Sequence, residues 1–221
     1  MGWIIAACIV AAVAIALGVM WGIARIRYRR SFAATLCEWY LRLTEKRKNT
    51  EQAEAEMPVL AAVNDVPFVL PRMRFASEVA ELEICGVQTF AFAASEQKAI
   101  LYLHGSGYVH LPRKQHLRFA DRLARATGAV VLMPMYPKAP HHGWQDCHKA
   151  MHAVYAHVRA QYTDLTLMGD SAGGGLALAL CEELLVTKTC PQPDRMVLLS
   201  PWVDLALKNS LIPQFEPTDP I

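Results

Sequence analysis

From Asp164 the chain passes through a short apolar stretch, Leu165-Thr166-Leu167-Met168. It then enters Gly169-Asp170-Ser171-Ala172-Gly173 and continues as a small-residue apolar segment to Val186. Few backbones accommodate that order. The apolar stretch reads as a buried strand, the glycine-flanked serine as a sharp turn, and the remainder as a helix. A strand that turns straight into a helix belongs to a layered α/β protein, in which helices carry the chain back across the sheet. A serine at the start of a helix is also a chemical arrangement. The free N–H groups and the helix dipole there favour negative charge on a group the serine attacks. A glycine-rich turn that binds a phosphate, or nothing, begins in the same way. No Gly-Lys-Ser/Thr follows, so a Walker-type loop is excluded.

The flanking sequence supports an α/β class. Hydrophobic periodicity predicts strands over 87–93, 99–103, 129–133, 165–168 and 196–199. It predicts helices over 115–127 (closed by Gly128), 144–162 and 172–186. The strands are apolar throughout rather than alternating. That pattern implies a mostly parallel sheet covered on both faces.

At the N-terminal end, Trp3 to Ala24 carries no charge, and Arg25, Arg27, Arg29 and Arg30 follow at once. Roughly 20 such residues in a helix cross a bilayer. A cleaved signal peptide is the rival, but it calls for a basic leader and a small-residue cleavage site, which this stretch lacks. The expectation is a retained single-pass anchor, residues 3–24, with the basic side and the main domain cytoplasmic. Residues 1–30 then form the anchor and its basic flank. Residues 31–57 form a helical connector or lid, with Phe32, Leu36, Trp39, Tyr40 and Leu43 at helical spacing and Pro58 as the expected stop. Residues 58–221 form the α/β domain.

The chain has 221 residues and a formal net charge of +2, so nothing points to a nucleic-acid partner. Cys8, Cys37, Cys85, Cys147, Cys181 and Cys190 have neither disulfide-framework nor metal spacing and read as scattered buried thiols in a reducing compartment. His148 and His152, four apart on one helix, could ligate a metal, but no third ligand is placed beside them. Neither a metal nor an organic cofactor is implied, and the oligomeric state is not legible.

Four segments occur in an ordered series: His104-Gly105-Ser106-Gly107, Tyr136-Pro137-Lys138-Ala139-Pro140, Gly169-Asp170-Ser171-Ala172-Gly173-Gly174 and Ser200-Pro201-Trp202-Val203-Asp204-Leu205. Together they resemble the hormone-sensitive-lipase-like esterase and lipase branch of the α/β-hydrolases, which carries H-G-G-G, Y-R-L-A-P, G-D-S-A-G-G and S-P-W-x-D-L in that order. The resemblance implies an α/β-hydrolase fold and a serine carboxylic-ester hydrolase acting on a small-molecule ester of short or medium acyl chain. Ser171 would be the nucleophile. Backbone N–H groups of Ser106, Gly107 and Ala172 would hold the oxyanion, with Gly105 shaping the loop. His104, Gly169, Asp170, Gly173 and Gly174 would support the motif. Ser106 replaces the family's second glycine, and a positive φ there would strain it.

In this fold the triad runs serine, acid, histidine. All eight histidines precede Ser171, and the aspartates that follow it are Asp194, Asp204 and Asp219. Asp204 lies in the S-P-W-x-D-L segment, where the resemblance implies an aspartate that is not the triad acid. Neither the triad acid nor its histidine is therefore assigned here, and the domain is expected to be incomplete at its C-terminus. It would then be a fragment of a complete esterase, one completed by a second polypeptide, or a non-catalytic relic or binding module. An incomplete sheet would leave an open strand edge and exposed apolar faces.

Overall fold

The computed structural model describes residues 1–44, 50–64, 66–93, 95 and 97–216. They divide into two compact units, one built on residues 1–52 with the stretch from Lys208, the other on Ala53–Leu207.

The first unit opens with helix α1, Gly2–Gly22, whose backbone widens into one π-helical turn, Ile23–Arg27. No residue of α1 is buried, and this helix is long and apolar enough to cross a membrane. Helix α2, Phe32–Thr44, follows a four-residue joint. A short helix α7, Ile212–Phe215, lies near the end of the described chain.

Helix α3, Thr50–Asn64, does not stop at Pro58, which lies inside it. An interior proline removes one N–H bond and its ring crowds the carbonyl four residues earlier, which kinks a helix without always ending it. Its last residue is held firmly: Asn64 Nδ2 donates to the carbonyls of Val109 (2.8 Å) and Ala139 (3.0 Å). The charged stretch around residues 45–49 and Asp219 lie outside the described residues.

The second unit is a six-stranded sheet in the order β1-β2-β4-β3-β5-β6. The strands are β1 Val79–Ile84, β2 Val87–Phe92, β3 Lys98–Leu103, β4 Val130–Pro134, β5 Asp164–Asp170 and β6 Arg195–Leu199. The β1–β2 and β2–β4 pairs are antiparallel, and β4, β3, β5 and β6 run parallel. Helices α4 (Lys114–Thr127), α5 (Trp144–Gln161) and α6 (Ser171–Thr187) make the crossovers. Successive side chains of β3 enter opposite cores. Leu101 and Leu103 pack with Met151, Val154 and Leu180 of α5 and α6, while Ile100 and Tyr102 pack with Leu117 and Ala120 of α4. That two-sided burial is why the strands read as unbroken apolar runs.

Strand β1 is an element that hydrophobic periodicity does not predict. Its Glu81 and Glu83 depress the strand signal, and it is an exposed edge held mainly by backbone pairing to β2. A two-residue turn, Cys85 and Gly86, both at positive φ, closes the hairpin. At the opposite edge, β6 leaves Met196, Val197 and Leu199 exposed.

Leu101 is fully buried on the central strand, between Leu132 of β4 and Leu167 of β5. Leu101→Ala is expected to lower unfolding free energy by about 3 kcal/mol, through lost burial plus the cavity left behind. Urea unfolding of the detergent-solubilised chain, followed by far-UV circular dichroism, measures it.

Candidate active site

Strand β5 ends at Asp170, and Ser171 is the first residue of α6. Ser171 has φ +50°, a left-handed conformation that costs a non-glycine residue about 1–3 kcal/mol. Close packing holds the turn in place. A Cβ on Gly169 would overlap the Gly173 carbonyl, and one on Gly173 would overlap the Leu103 carbonyl. The Trp202 N–H donates to the Ser171 carbonyl at 2.8 Å, tying the Ser200–Leu205 segment to the turn. The Ser171 side chain is exposed, and among the described residues its Oγ makes no hydrogen bond.

The His104–Gly107 loop reaches this turn through Asp170. The Asp170 Oδ1 accepts the Gly105 N–H (2.8 Å) and the Tyr102 hydroxyl (2.6 Å). Asp170 Oδ2 lies 3.5 Å from His116 Nε2. His116 Nδ1 accepts the Arg113 N–H at 3.0 Å, which leaves the ring proton on Nε2, facing the carboxylate. Burial alone would raise the Asp170 pKa, but the hydrogen bonds from His116, Tyr102 and Gly105 outweigh it and hold the carboxyl below its ordinary value. Gly105 has no room for a side chain, since a Cβ would strike the Asp170 carboxylate.

A second set of bonds fixes the loop from behind. The Tyr136 hydroxyl donates to the His104 carbonyl (2.6 Å), so Ser106 Oγ, 2.8 Å away, donates to Tyr136. Ser106 is not at positive φ, and the strain considered for a serine here does not arise. Gly107 (φ +61°) and Tyr108 (φ +63°) carry the turn instead. No hydrogen bond from the N–H of Ser106 or Gly107 occurs among the described residues. Ala172 lies in the first turn of α6, where N–H groups have no intrahelical acceptor. The structure thus brings Gly105, Ser106, Gly107, Ser171 and Ala172 to one end of the sheet.

His104 is fully buried and stacked on Tyr136, with ring centroids 4.7 Å apart. Its Nδ1 lies 3.3 Å from the Gly105 carbonyl, and Nε2 has no partner among the described residues. Burial pushes its pKa down to about 3. Lys138, also buried, donates to the Tyr136 carbonyl at 2.9 Å, and burial pushes its pKa down to about 8. His148 Nδ1 lies 2.8 Å from Glu183 Oε2, and His152 Nε2 lies 2.9 Å from Thr189 Oγ1. Of the cysteines expected to be buried, Cys147 and Cys181 are, but Cys8 and Cys37 lie exposed on α1 and α2 and Cys85 in the β1–β2 turn. No group of three or more His, Cys, Asp or Glu suited to a metal occurs among the described residues. A cavity of about 360 Å³ lies beside Tyr108, lined by Ala139, Trp144, Cys147, Leu176 and Leu205. The motifs contain Tyr136 and Trp202 but give no sign of their contacts. Tyr102, His116 and Asn64 carry no local pattern that marks them.

A family model described as the alpha/beta hydrolase fold matches residues 100–219, more than half of the chain. The chain belongs to the α/β-hydrolase family. It is similar to an acetyl-hydrolase of Streptomyces hygroscopicus, 33% identical over 129 residues (57% of this chain, 43% of that protein). It is also similar to esterase LipU of Mycobacterium tuberculosis, 32% identical over 124 residues (53% of this chain, 40% of that protein). Among solved structures it resembles EstE5 soaked with p-nitrophenyl butyrate, with a TM-score of 0.68 and 27% identity over 84% of this chain and 63% of that one. An esterase of the bacterial hormone-sensitive lipase family gives a TM-score of 0.62 and 26% identity over 92% of this chain and 63% of that one. The chain therefore spans less than two thirds of the length of each of these relatives.

The His104 environment has a consequence for stability. In the unfolded chain this imidazole binds a proton near its ordinary pKa of 6.5, in the folded chain only near 3. Between those values the unfolded state holds more protons, so stability falls as pH drops below about 6.5. His104→Asn is expected to flatten that part of the profile, measured as unfolding free energy between pH 7 and pH 5.

Proposed function

We propose that this chain carries the nucleophile and oxyanion-binding parts of a serine carboxylic-ester hydrolase. The observation that carries the reading is Ser171, held at positive φ on the first residue of α6 with its hydroxyl exposed, in a turn tied through Asp170 to a loop whose Ser106 and Gly107 N–H groups have no partner among the described residues. Ser171 Oγ attacks the ester carbonyl, and the alcohol leaves as an acyl-enzyme forms. The N–H groups of Ser106, Gly107 and Ala172 receive the oxyanion, each such donor being worth about 3 kcal/mol of barrier. Gly105, fixed on Asp170, sets the loop's path. The apolar cavity beside Tyr108 suits a short or medium hydrocarbon substituent of the ester.

The reaction also needs a base for the Ser171 proton. No described residue hydrogen-bonds to Oγ, and losing the base typically costs about 10⁴-fold. The reading therefore assigns the triad acid and histidine to polypeptide other than the described residues. The other reading, a hydrolase-fold protein without turnover, rests on the same unpartnered hydroxyl. The anchor reading rests on α1: residues 3–24 span the bilayer once, and the arginines after them favour a cytoplasmic main domain.

With the base outside the described residues, a fluorophosphonate probe is expected to label the chain slowly, about 10⁴-fold below a complete triad, and to fail on Ser171→Ala. Absence of any Ser171-dependent labelling on prolonged incubation at high probe concentration would support the non-catalytic reading. The chain is also expected to stay in the membrane fraction through alkaline carbonate extraction, and release into the soluble fraction would overturn the anchor.

A further inference from the structure

We infer that α2 is a membrane-surface helix whose exposed aromatic and leucine stripe, next to unpaired arginines, binds a bilayer containing anionic lipid. The inference rests on the anchor reading of α1. Its first support is the stripe. Phe32, Leu36, Trp39, Tyr40 and Leu43 fall within about 100° of arc on a helix of 3.6 residues per turn. Of these, Leu36, Trp39, Tyr40 and Leu43 are all exposed, Leu43 at 84%. Trp and Tyr are the residues that favour the boundary between headgroups and acyl chains.

The second support is the joint that ties α2 to the end of α1. Ala24 and Thr35 are both fully buried. The Arg30 N–H donates to the Ala24 carbonyl (3.0 Å), and Arg30 Nε donates to Thr35 Oγ1 (3.1 Å). The same guanidinium pairs with Glu38 and lies over the Tyr28 ring, 4.7 Å from its centroid. Ser31 Oγ caps α2 by accepting the Ala34 N–H at 3.1 Å. The chain thus passes from α1 to α2 through a built corner, and α2 starts within a few residues of where the π-helical turn ends.

The third support is charge. Glu38, the acid of α2, is taken up by Arg30 and Arg42. Arg25, Arg27 and Arg29 are exposed and have no partner among the described residues. Three cations with no described partner, at the end of a helix read as a membrane span, complement an anionic headgroup layer, whose pull on a juxtamembrane cation falls off within a Debye length.

The test uses the full chain in vesicles of phosphatidylcholine with or without one part in three of phosphatidylglycerol. Trp39 is kept as the sole tryptophan by replacing Trp3, Trp21, Trp144 and Trp202 with Phe. If that variant loses its helical circular dichroism, the difference between wild-type emission and Trp39→Phe reports the same residue. Trp39 is expected to be quenched by lipids brominated near the glycerol end of the chain, as for an apolar face buried about 5–10 Å. Quenching should be stronger with phosphatidylglycerol and lost in Leu36→Glu/Leu43→Glu while α1 remains carbonate-resistant. An embedded chain whose Trp39 is quenched by aqueous iodide and not by bromine overturns the inference and leaves the anchor standing. Cross-linking of two chains through the stripe, with no bromine quenching, likewise overturns it. Equal quenching in the two lipid mixtures overturns the role of the arginines. Release of the chain by carbonate overturns both anchor and surface helix.

Discussion

The carboxylate of Asp170 organises the candidate site. It sits one residue before Ser171, at the end of β5, and takes hydrogen bonds from the Gly105 N–H and the Tyr102 hydroxyl while facing His116. Those partners come from the loop after β3, from β3 itself and from α4. A single side chain therefore ties the serine turn to the His104–Gly107 loop. An ionised acceptor makes such bonds roughly twice as strong as neutral ones, and the depressed Asp170 pKa expresses the same preference for charge.

Close backbone approach is the other half of that constraint. Gly105 lies against Asp170, Gly173 against Leu103, and Gly175 against the Trp202 carbonyl. At each contact a side chain would push two elements apart. The glycines of the motif are thus spacers between layers as much as turn residues, and the strained φ of Ser171 persists because the surroundings leave it no alternative.

These two constraints explain what is legible in the sequence. The strand-turn-helix at Ser171 is readable because glycine, serine and apolar runs are local signals. The parallel strands are readable because both their faces are buried. Tyr102, His116 and Asn64 are not, since each acts on a partner more than forty residues away and sits in an ordinary helix or strand. The course of α3 through Pro58 escapes the sequence for a related reason: the local rule favours a stop, and the Asn64 bonds that anchor the far end are tertiary. Ser106 shows the converse. A substitution that looks costly in a glycine motif is tolerated because the positive φ falls one residue later, and its hydroxyl gains Tyr136.

Strand β6 carries the same kind of sequence as its neighbours, Arg195-Met196-Val197-Leu198-Leu199, yet its side chains are largely exposed. An apolar strand with no alternation is the signature of burial on both faces, and exposed apolar edges invite association. Its composition is that of an interior strand. On the proposed reading the exposed hydroxyl of Ser171 makes a parallel demand, since no proton acceptor for it occurs among the described residues. On that reading, cover for β6 and a proton acceptor for Ser171 belong at adjoining places, because β6 pairs with β5 up to Asp170 itself. One further layer of polypeptide along that edge would meet both requirements, whereas cover for the strand alone would leave Ser171 without a proton acceptor.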